Sequence, residues 1–178
     1  MLNKTNTGLI IVDVQGKLAE IMHESDALLQ QLSVLIRGVK SMGLPVIWME
    51  QIPEKLGPTK AQIAELLDGE PLSKNTFSGW QTEAIAAAIR TAGCENWLVA
   101  GIETHVCVYQ TVADMLAEGF KLHLVTDAVS SRVLANKQLA IDKMAAMGAS
   151  LTSVEMALFE LQKIAEGDEF RALIKIVK

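Results

Sequence analysis

The chain has 178 residues, of which half are hydrophobic and only 4% are aromatic, and its formal net charge at pH 7 is −5. This length can bury a sizeable aliphatic core, and we expect a single domain over residues 1–178. The acidic balance and the scattered lysines and arginines argue against a nucleic-acid partner, and no apolar run reaches the roughly 18 residues of a membrane span. We therefore predict a cytoplasmic protein that associates with neither nucleic acid nor membrane.

Short apolar runs alternate with helical patterns along the whole chain. In chain order, the first half predicts a strand over 8–12, a helix from Ser25 or Asp26 to Met42, a strand over 45–49, a short helix from Thr59 and an edge strand near Leu72. The second half predicts a helix over 82–91, a strand over 96–100, a helix from Thr104, a strand over 121–125, a loop over 127–132, a helix over 136–147, a strand over 149–152 and two final helices over 154–164 and 169–177. Strands that alternate with helices in this way predict an α/β three-layer Rossmann-like sandwich, with a parallel sheet between helices and right-handed crossovers.

Three reactive side chains stand near the carboxyl ends of predicted strands. Asp13 follows the first apolar run, Lys74 lies in a polar loop before the alanine-rich helix, and Cys107 lies in the first turn of the helix that begins near Thr104. In an open parallel sheet, these strand ends share one edge, where ligands bind. A carboxylate, an ammonium group and a thiol can therefore meet there.

Cys107 can act as a nucleophile only if a neighbouring group takes its proton or lowers its pKa. A free thiol with a pKa near ~8.5 is only about 3% thiolate at pH 7, and a helix N-terminus contributes roughly 0.3 to 1 kcal/mol. The consistent arrangement has Asp13 as the general base and Lys74 as a fixed positive charge, with backbone N–H groups of the preceding turn facing the oxyanion. The alternative is that Cys107 is a small buried residue without chemistry.

Four ordered motifs cover nearly the whole chain and resemble those of the isochorismatase-like cysteine hydrolases. They are Ile-Ile-Val-Asp-Val-Gln over 10–15, Lys-Asn-Thr-Phe-Ser-Gly over 74–79, Gly-Ile-Glu-Thr-His-Val-Cys-Val over 101–108 and Val-Thr-Asp-Ala-Val-Ser-Ser-Arg over 125–132. The stretch over 50–59 is similar to the isochorismatase-domain-containing branch of that family.

The resemblance implies a six-stranded parallel sheet and an Asp13, Lys74 and Cys107 triad. It also implies a cis peptide between Ile102 and Glu103, which would turn the Glu103 amide toward an oxyanion hole shared with the Cys107 amide. Nicotinamidases of the family carry a metal-binding Asp-x-His after the second strand, where this chain reads Met-Glu-Gln-Ile-Pro over 49–53. We therefore expect no metal and no other cofactor, and nicotinamide is disfavoured as substrate.

Other residues have both a functional and a structural interpretation. Four residues are candidates for a substrate pocket: Gln51, Phe77, Trp80 and His105. The structural alternative is loop support for Gln51, ordinary packing for Phe77 and Trp80, and a polar turn residue for His105. Asp127 and Arg132 could line the site or form an ion pair that fixes a loop or an interface. Cys94 is expected to be inert. The apolar face of the last helix packs within the chain or makes a subunit contact.

True isochorismatases of the family lack the cysteine, so Cys107 favours amide chemistry. We predict hydrolysis of the C–N bond of a small-molecule amide, through a covalent acyl-enzyme on Cys107, by a homo-oligomer of two or more copies. The alternatives are a non-catalytic binding or scaffold protein that retains the fold, and a thiol-based redox sensor.

Overall fold

Each predicted apolar run forms a strand of one sheet in the computed structural model, which describes residues 1–178. The strands are β1 (Thr7–Val12), β2 (Val46–Gln51), β3 (Leu72–Lys74), β4 (Asn96–Ile102), β5 (Lys121–Ser130) and β6 (Ser150–Thr152). Their spatial order is β3-β2-β1-β4-β5-β6 and every neighbouring pair is parallel. The predicted six-stranded parallel sheet is thus confirmed.

Helices cover both faces of this sheet. They are α1 (Gly16–Glu20), α2 (Ser25–Ser41), α3 (Pro53–Leu56), α4 (Ala61–Ala64), α5 (Glu83–Ala92), α6 (Tyr109–Ala117), α7 (Leu134–Ala146), α8 (Val154–Gln162) and α9 (Gly167–Val177). A 3₁₀ turn over Gly79–Gln81 precedes α5, and a π-helical turn over Thr104–Val108 precedes α6. No helix combines the length and the apolar character that a membrane crossing requires.

The core has two aliphatic halves, one on each side of the sheet. Leu9 and Ile11 of β1 point to the half that contains α2, α8 and α9, whereas Ile10 and Val12 point to the half that contains α5, α6 and α7. Both faces are apolar because successive side chains of a strand alternate between faces and both faces are covered. Burial of each large aliphatic side chain contributes about 1.5–3 kcal/mol. Every residue of β1 is buried, because the strand lies between β2 and β4 and is covered on both faces.

The structure differs from the predicted elements in places that matter for the site. The prediction of a loop over 127–132 is wrong for residues 127–130. There β5 continues to Ser130 and pairs again with β4 after a shift of register. Lys74 ends β3 rather than lying in a loop. Cys107 lies in the wide π-helical turn rather than in the first turn of a regular helix. Pro53 begins α3, at a position that needs no N–H donor.

The last helix packs within the chain. Leu173 of α9 is fully buried with residues of α2 and α8, and the rings of Phe159 and Phe170 lie 6.5 Å apart between α8 and α9. Of the two interpretations of its apolar face, the intrachain one describes this structure.

Candidate active site

The carboxyl edge of the sheet brings the three reactive residues predicted from the sequence together. Asp13 directly follows β1, Lys74 is the last residue of β3, and Cys107 lies in the turn that follows β4. Gln51, the last residue of β2, is paired in register with Lys74 across the parallel ladder. The side chains meet because all four strands run in one direction and end at the same edge.

Asp13 and Lys74 form a buried ion pair. Lys74 Nζ lies 2.7 Å from Asp13 Oδ2, and the two residues are 2% and 1% exposed. Lys74 Nζ also donates to Gln51 Oε1 at 2.6 Å and lies within 3.1 and 3.2 Å of the carbonyl oxygens of Phe77 and Thr76. All four neighbours are acceptors, so they suit an ammonium group, and they supply the extra hydrogen bonds that a buried charge needs.

The Cys107 thiol lies beside this pair and is 7% exposed. Burial, and then the negative charge of Asp13, raise the pKa of Cys107 to about 12, although Lys74 acts in the opposite direction. Burial also raises the pKa of Asp13, against the lowering effect of Lys74. The thiol is therefore protonated at neutral pH and needs a base, and a carboxylate with a raised pKa is a stronger one.

One oxygen of Asp13 has no partner. Oδ2 accepts from Lys74, whereas Oδ1 is buried and makes no hydrogen bond. An unpaired buried carboxylate oxygen is costly, so its presence in a site calls for a functional explanation. Proton transfer from the neighbouring thiol would use this oxygen.

The turn between β4 and the thiol leaves one backbone N–H without an acceptor. The Ile102–Glu103 peptide bond is cis, and the backbone N–H of Glu103 donates to no acceptor within the protein. The Glu103 carboxylate is tied to the backbone N–H of Arg132 at 3.1 Å and to its Nε at 3.2 Å. The Glu103 N–H is therefore free to donate to a ligand, and Arg132 holds the turn that carries it.

The remaining predicted residues lie in different surroundings. Asp127 Oδ1 accepts from the backbone N–H of Val154 at 2.9 Å and so fixes the start of α8. His105 Nδ1 lies 3.0 Å from Ser131 Oγ. The Trp80 ring packs against Phe120, with centroids 5.3 Å apart, and beneath the guanidinium of Arg90.

Gln51 is the one predicted pocket residue whose side chain contacts two of the three reactive groups. Its Oε1 accepts from Lys74 and lies 3.9 Å from Cys107 Sγ. Phe77 contributes its carbonyl oxygen to Lys74, while its side chain is 55% exposed. Cys94 is buried away from the site, its Sγ lying 3.6 Å from the carbonyl oxygen of Ala92.

Two buried polar residues that support the site were missed in the sequence. Gln15 is fully buried and bonds both backbone groups of Gln51, through Oε1 at 2.7 Å and Nε2 at 3.1 Å. Glu50 accepts from the backbone N–H and the hydroxyl of Thr59 at 2.6 and 2.8 Å. The available signal was their place near the ends of apolar runs, Glu50 directly after Met49 and Gln15 three residues after Val12, where polar residues meet the edge of a parallel sheet.

The larger surface cavities lie elsewhere. One of about 630 Å³ is lined by α1, α2 and α4 residues such as Glu20, Asp26 and Lys60, and none of the three reactive residues borders it. No group of three or more His, Cys, Asp or Glu side chains is arranged to hold a metal ion.

The chain resembles known proteins along most of its length. Residues 7–156 match the family model of the isochorismatase domain. Isochorismatase domain-containing protein 1 of Salmo salar is 38% identical over 146 residues, which are 81% of this chain and 51% of that protein. The chain thus spans about half the length of this curated relative.

Two solved structures share nearly the whole fold. A MAR1 ribonuclease from Caenorhabditis elegans has a TM-score of 0.92 and is 30% identical, covering 99% of this chain and 91% of its own. The YcaC gene product of Escherichia coli, described as an octameric hydrolase of unknown specificity, has a TM-score of 0.93 and is 24% identical, covering 98% of this chain and 88% of its own.

Proposed function

The chain belongs to the isochorismatase family, and from this premise we propose that it is a metal-independent cysteine hydrolase that cleaves the C–N bond of a small amide. The observation that carries the proposal is the buried Oδ1 of Asp13, which has no hydrogen-bond partner although the Asp13 carboxyl neighbours both Lys74 and the protonated Cys107 thiol. A carboxylate placed in this way is a general base for sulfur.

Acylation begins with transfer of the Cys107 thiol proton to Asp13 Oδ1 while Sγ attacks the amide carbonyl carbon. The new S–C bond pushes the carbonyl electrons onto oxygen, and the backbone N–H groups of Glu103 and Cys107 stabilise the resulting oxyanion. When the oxyanion collapses, the C–N bond breaks and the leaving nitrogen takes the proton from Asp13. The products are ammonia or an amine and a thioester on Cys107.

Deacylation uses the same groups with water as the nucleophile. Asp13 takes a proton from water as the water oxygen attacks the thioester carbonyl, and the same oxyanion donors act again. Collapse breaks the C–S bond, and the sulfur recovers the proton from Asp13. Lys74 takes no part in proton transfer and keeps its hydrogen bonds to Asp13, Gln51 and the carbonyl oxygens of Thr76 and Phe77.

A panel of small amides tests this proposal. We expect ammonia or amine release by the wild type and a loss on the order of 10³-fold or more in Cys107→Ala, because the nucleophile is removed. Cys94→Ala serves as the matched control and should keep its activity. Full activity of Cys107→Ala on the same amide would contradict the proposal.

Thiol labelling gives an independent measure when no substrate is yet in hand. Iodoacetamide should modify Cys107 well before Cys94, because Asp13 takes the thiol proton as Cys107 attacks the reagent, whereas burial is the sole influence on the Cys94 thiol. Equal slow labelling, with no turnover of any amide, would favour a scaffold or binding protein. Reversible sulfenic acid at Cys107 after mild peroxide, with loss of function, would favour a redox sensor.

The name of the C. elegans neighbour makes RNA a necessary arm of the same panel. We expect no RNA cleavage by this chain, because its net charge is −5 and the buried Lys74 is already committed to four acceptors. Cleavage of RNA that disappears in Cys107→Ala would replace the amide proposal.

We also propose that the chain assembles into a homo-oligomer of two or more copies. The similar E. coli protein is described as octameric. The large apolar side chains that are more than half exposed include Leu134 and Leu139 of α7 and Met156 of α8.

A further inference from the structure

Gln51 holds a fixed place at the centre of the site. Its backbone N–H and carbonyl are both bonded to the side chain of Gln15, and its side-chain Nε2 donates to the carbonyl oxygen of Asn75 at 3.2 Å. Because a carbonyl oxygen can only accept and Lys74 can only donate, the orientation of the amide is unambiguous. Oε1 must face Lys74 Nζ, at 2.6 Å.

The hydrogens of Lys74 are all used in this arrangement. An ammonium group has three N–H donors. One goes to Asp13 Oδ2, one to Gln51 Oε1, and the third lies between the carbonyl oxygens of Thr76 and Phe77. None is left for Asp13 Oδ1, which is the buried oxygen without a partner.

We propose that Gln51 is a positioning residue, which draws one N–H of Lys74 away from Asp13 and so keeps Asp13 Oδ1 available to accept the proton of the Cys107 thiol. The inference rests on the proposed function of the Asp13, Lys74 and Cys107 group. Without an acceptor at position 51, the released N–H turns to Oδ1, and Lys74 then binds both oxygens of Asp13. The carboxylate becomes a weaker base and sulfur loses its proton acceptor.

Two substitutions separate the acceptor from the shape of the side chain. Gln51→Met keeps a similar length but removes the acceptor, whereas Gln51→Glu keeps an acceptor for Lys74 and adds a negative charge. Gln30→Met is the matched control, because Gln30 is exposed on α2. Thermal unfolding of each variant checks that it folds.

The measurement is the rate of iodoacetamide labelling at Cys107 as a function of pH, followed by mass spectrometry with Cys94 as the internal reference. We expect Gln51→Met to slow the labelling of Cys107 by at least about tenfold at neutral pH, in line with the loss of a general base. Gln51→Glu should keep the maximal rate within about threefold, with its profile displaced to higher pH. The displacement arises because a charge at position 51 lies near the sulfur and disfavours the thiolate.

If Cys107 is labelled in Gln51→Met as fast as in the wild type, or faster, the inference is overturned, because Lys74 would then assist the sulfur directly. Equal slowing by Met and Glu would also overturn it, because both lose the Nε2 donor to the carbonyl oxygen of Asn75, and that loss rather than the missing acceptor would be the cause. If Gln51→Met does not fold, Gln51→Glu decides alone: a retained maximum at higher pH supports the inference and a collapsed maximum overturns it. If iodoacetamide labels Cys107 of the wild type no faster than Cys94, both the proposed function and this inference are overturned.

Discussion

The Cys107 thiol is held in its protonated form by burial and by a neighbouring carboxylate. Its pKa rises from 9.0 to about 12 in the folded chain. The folded state then binds more protons than the unfolded state between these two values, so the free energy of unfolding must fall as pH rises through that window. Below about pH 9 the contribution of Cys107 is fully present.

We therefore expect the free energy of unfolding to fall less between pH 8 and pH 11 in Cys107→Ser than in the wild type. Urea unfolding at several pH values across this range measures both. A serine hydroxyl does not titrate in this range, so the difference between the two proteins isolates the thiol. Cys94→Ser is the comparison, and its effect should be smaller, because burial is the sole cause that raises the pKa of Cys94. Parallel pH curves for wild type and Cys107→Ser would contradict the raised pKa.

At the scale of elements, the close contact of β4 with β1 depends on Gly101. A Cβ built there would lie 2.1 Å from the carbonyl oxygen of Val12, and the φ of Gly101 is +118°. Gly93, which follows α5, has a φ of +67°, and a Cβ built on it would have no other atom within 4 Å. The two glycines therefore separate conformational strain from overlap with a neighbouring strand.

Gly93→Ala should lower the free energy of unfolding by about 1–2 kcal/mol, the cost of a left-handed alanine. Gly101→Ala should lower it by more than about 3 kcal/mol, because β1 and β4 would have to separate. Urea denaturation of the two variants measures both values. Similar losses would mean that the strands adjust to a side chain at position 101.

The elements that were predicted well are those with a local signal. Periodic apolar residues and the glycines that end helices are visible in a single segment, and α5 and β4 follow them closely. The second half of β5 carries no such signal, because Asp127 and the serines that follow Val129 are typical of loops. Its strand conformation comes from pairing with the end of β4.

For the whole molecule, the testable quantity is its mass in solution. The chain mass is 19.3 kDa, and light scattering after gel filtration should return at least twice this value if the proposed homo-oligomer forms. Exposed aliphatic side chains on α7 and α8 are removed from water when copies associate, which supplies the driving force. A mass of one chain across a range of protein concentrations would contradict the assembly.

The sequence by itself determined the class of fold and the three reactive side chains. Apolar runs of strand length between helical patterns require a covered parallel sheet, and a parallel sheet collects the residues that follow its strands at one edge. Asp13, Lys74 and Cys107 could therefore be placed near one another without coordinates. The family resemblance added the cis peptide before Glu103, which the residues alone do not encode.

Only the tertiary structure decided how these residues are held. The hydrogen bonds of Gln15 to the backbone of Gln51, of Gln51 to Lys74, and of Arg132 to Glu103 join residues that are far apart along the chain. No local pattern predicts such pairs, because each polar side chain alone is equally compatible with solvent. Burial decides the matter: once the strand ends are removed from water, an unpaired donor or acceptor is costly, so nearly all of them find a partner. Asp13 Oδ1 is the acceptor left over at the thiol.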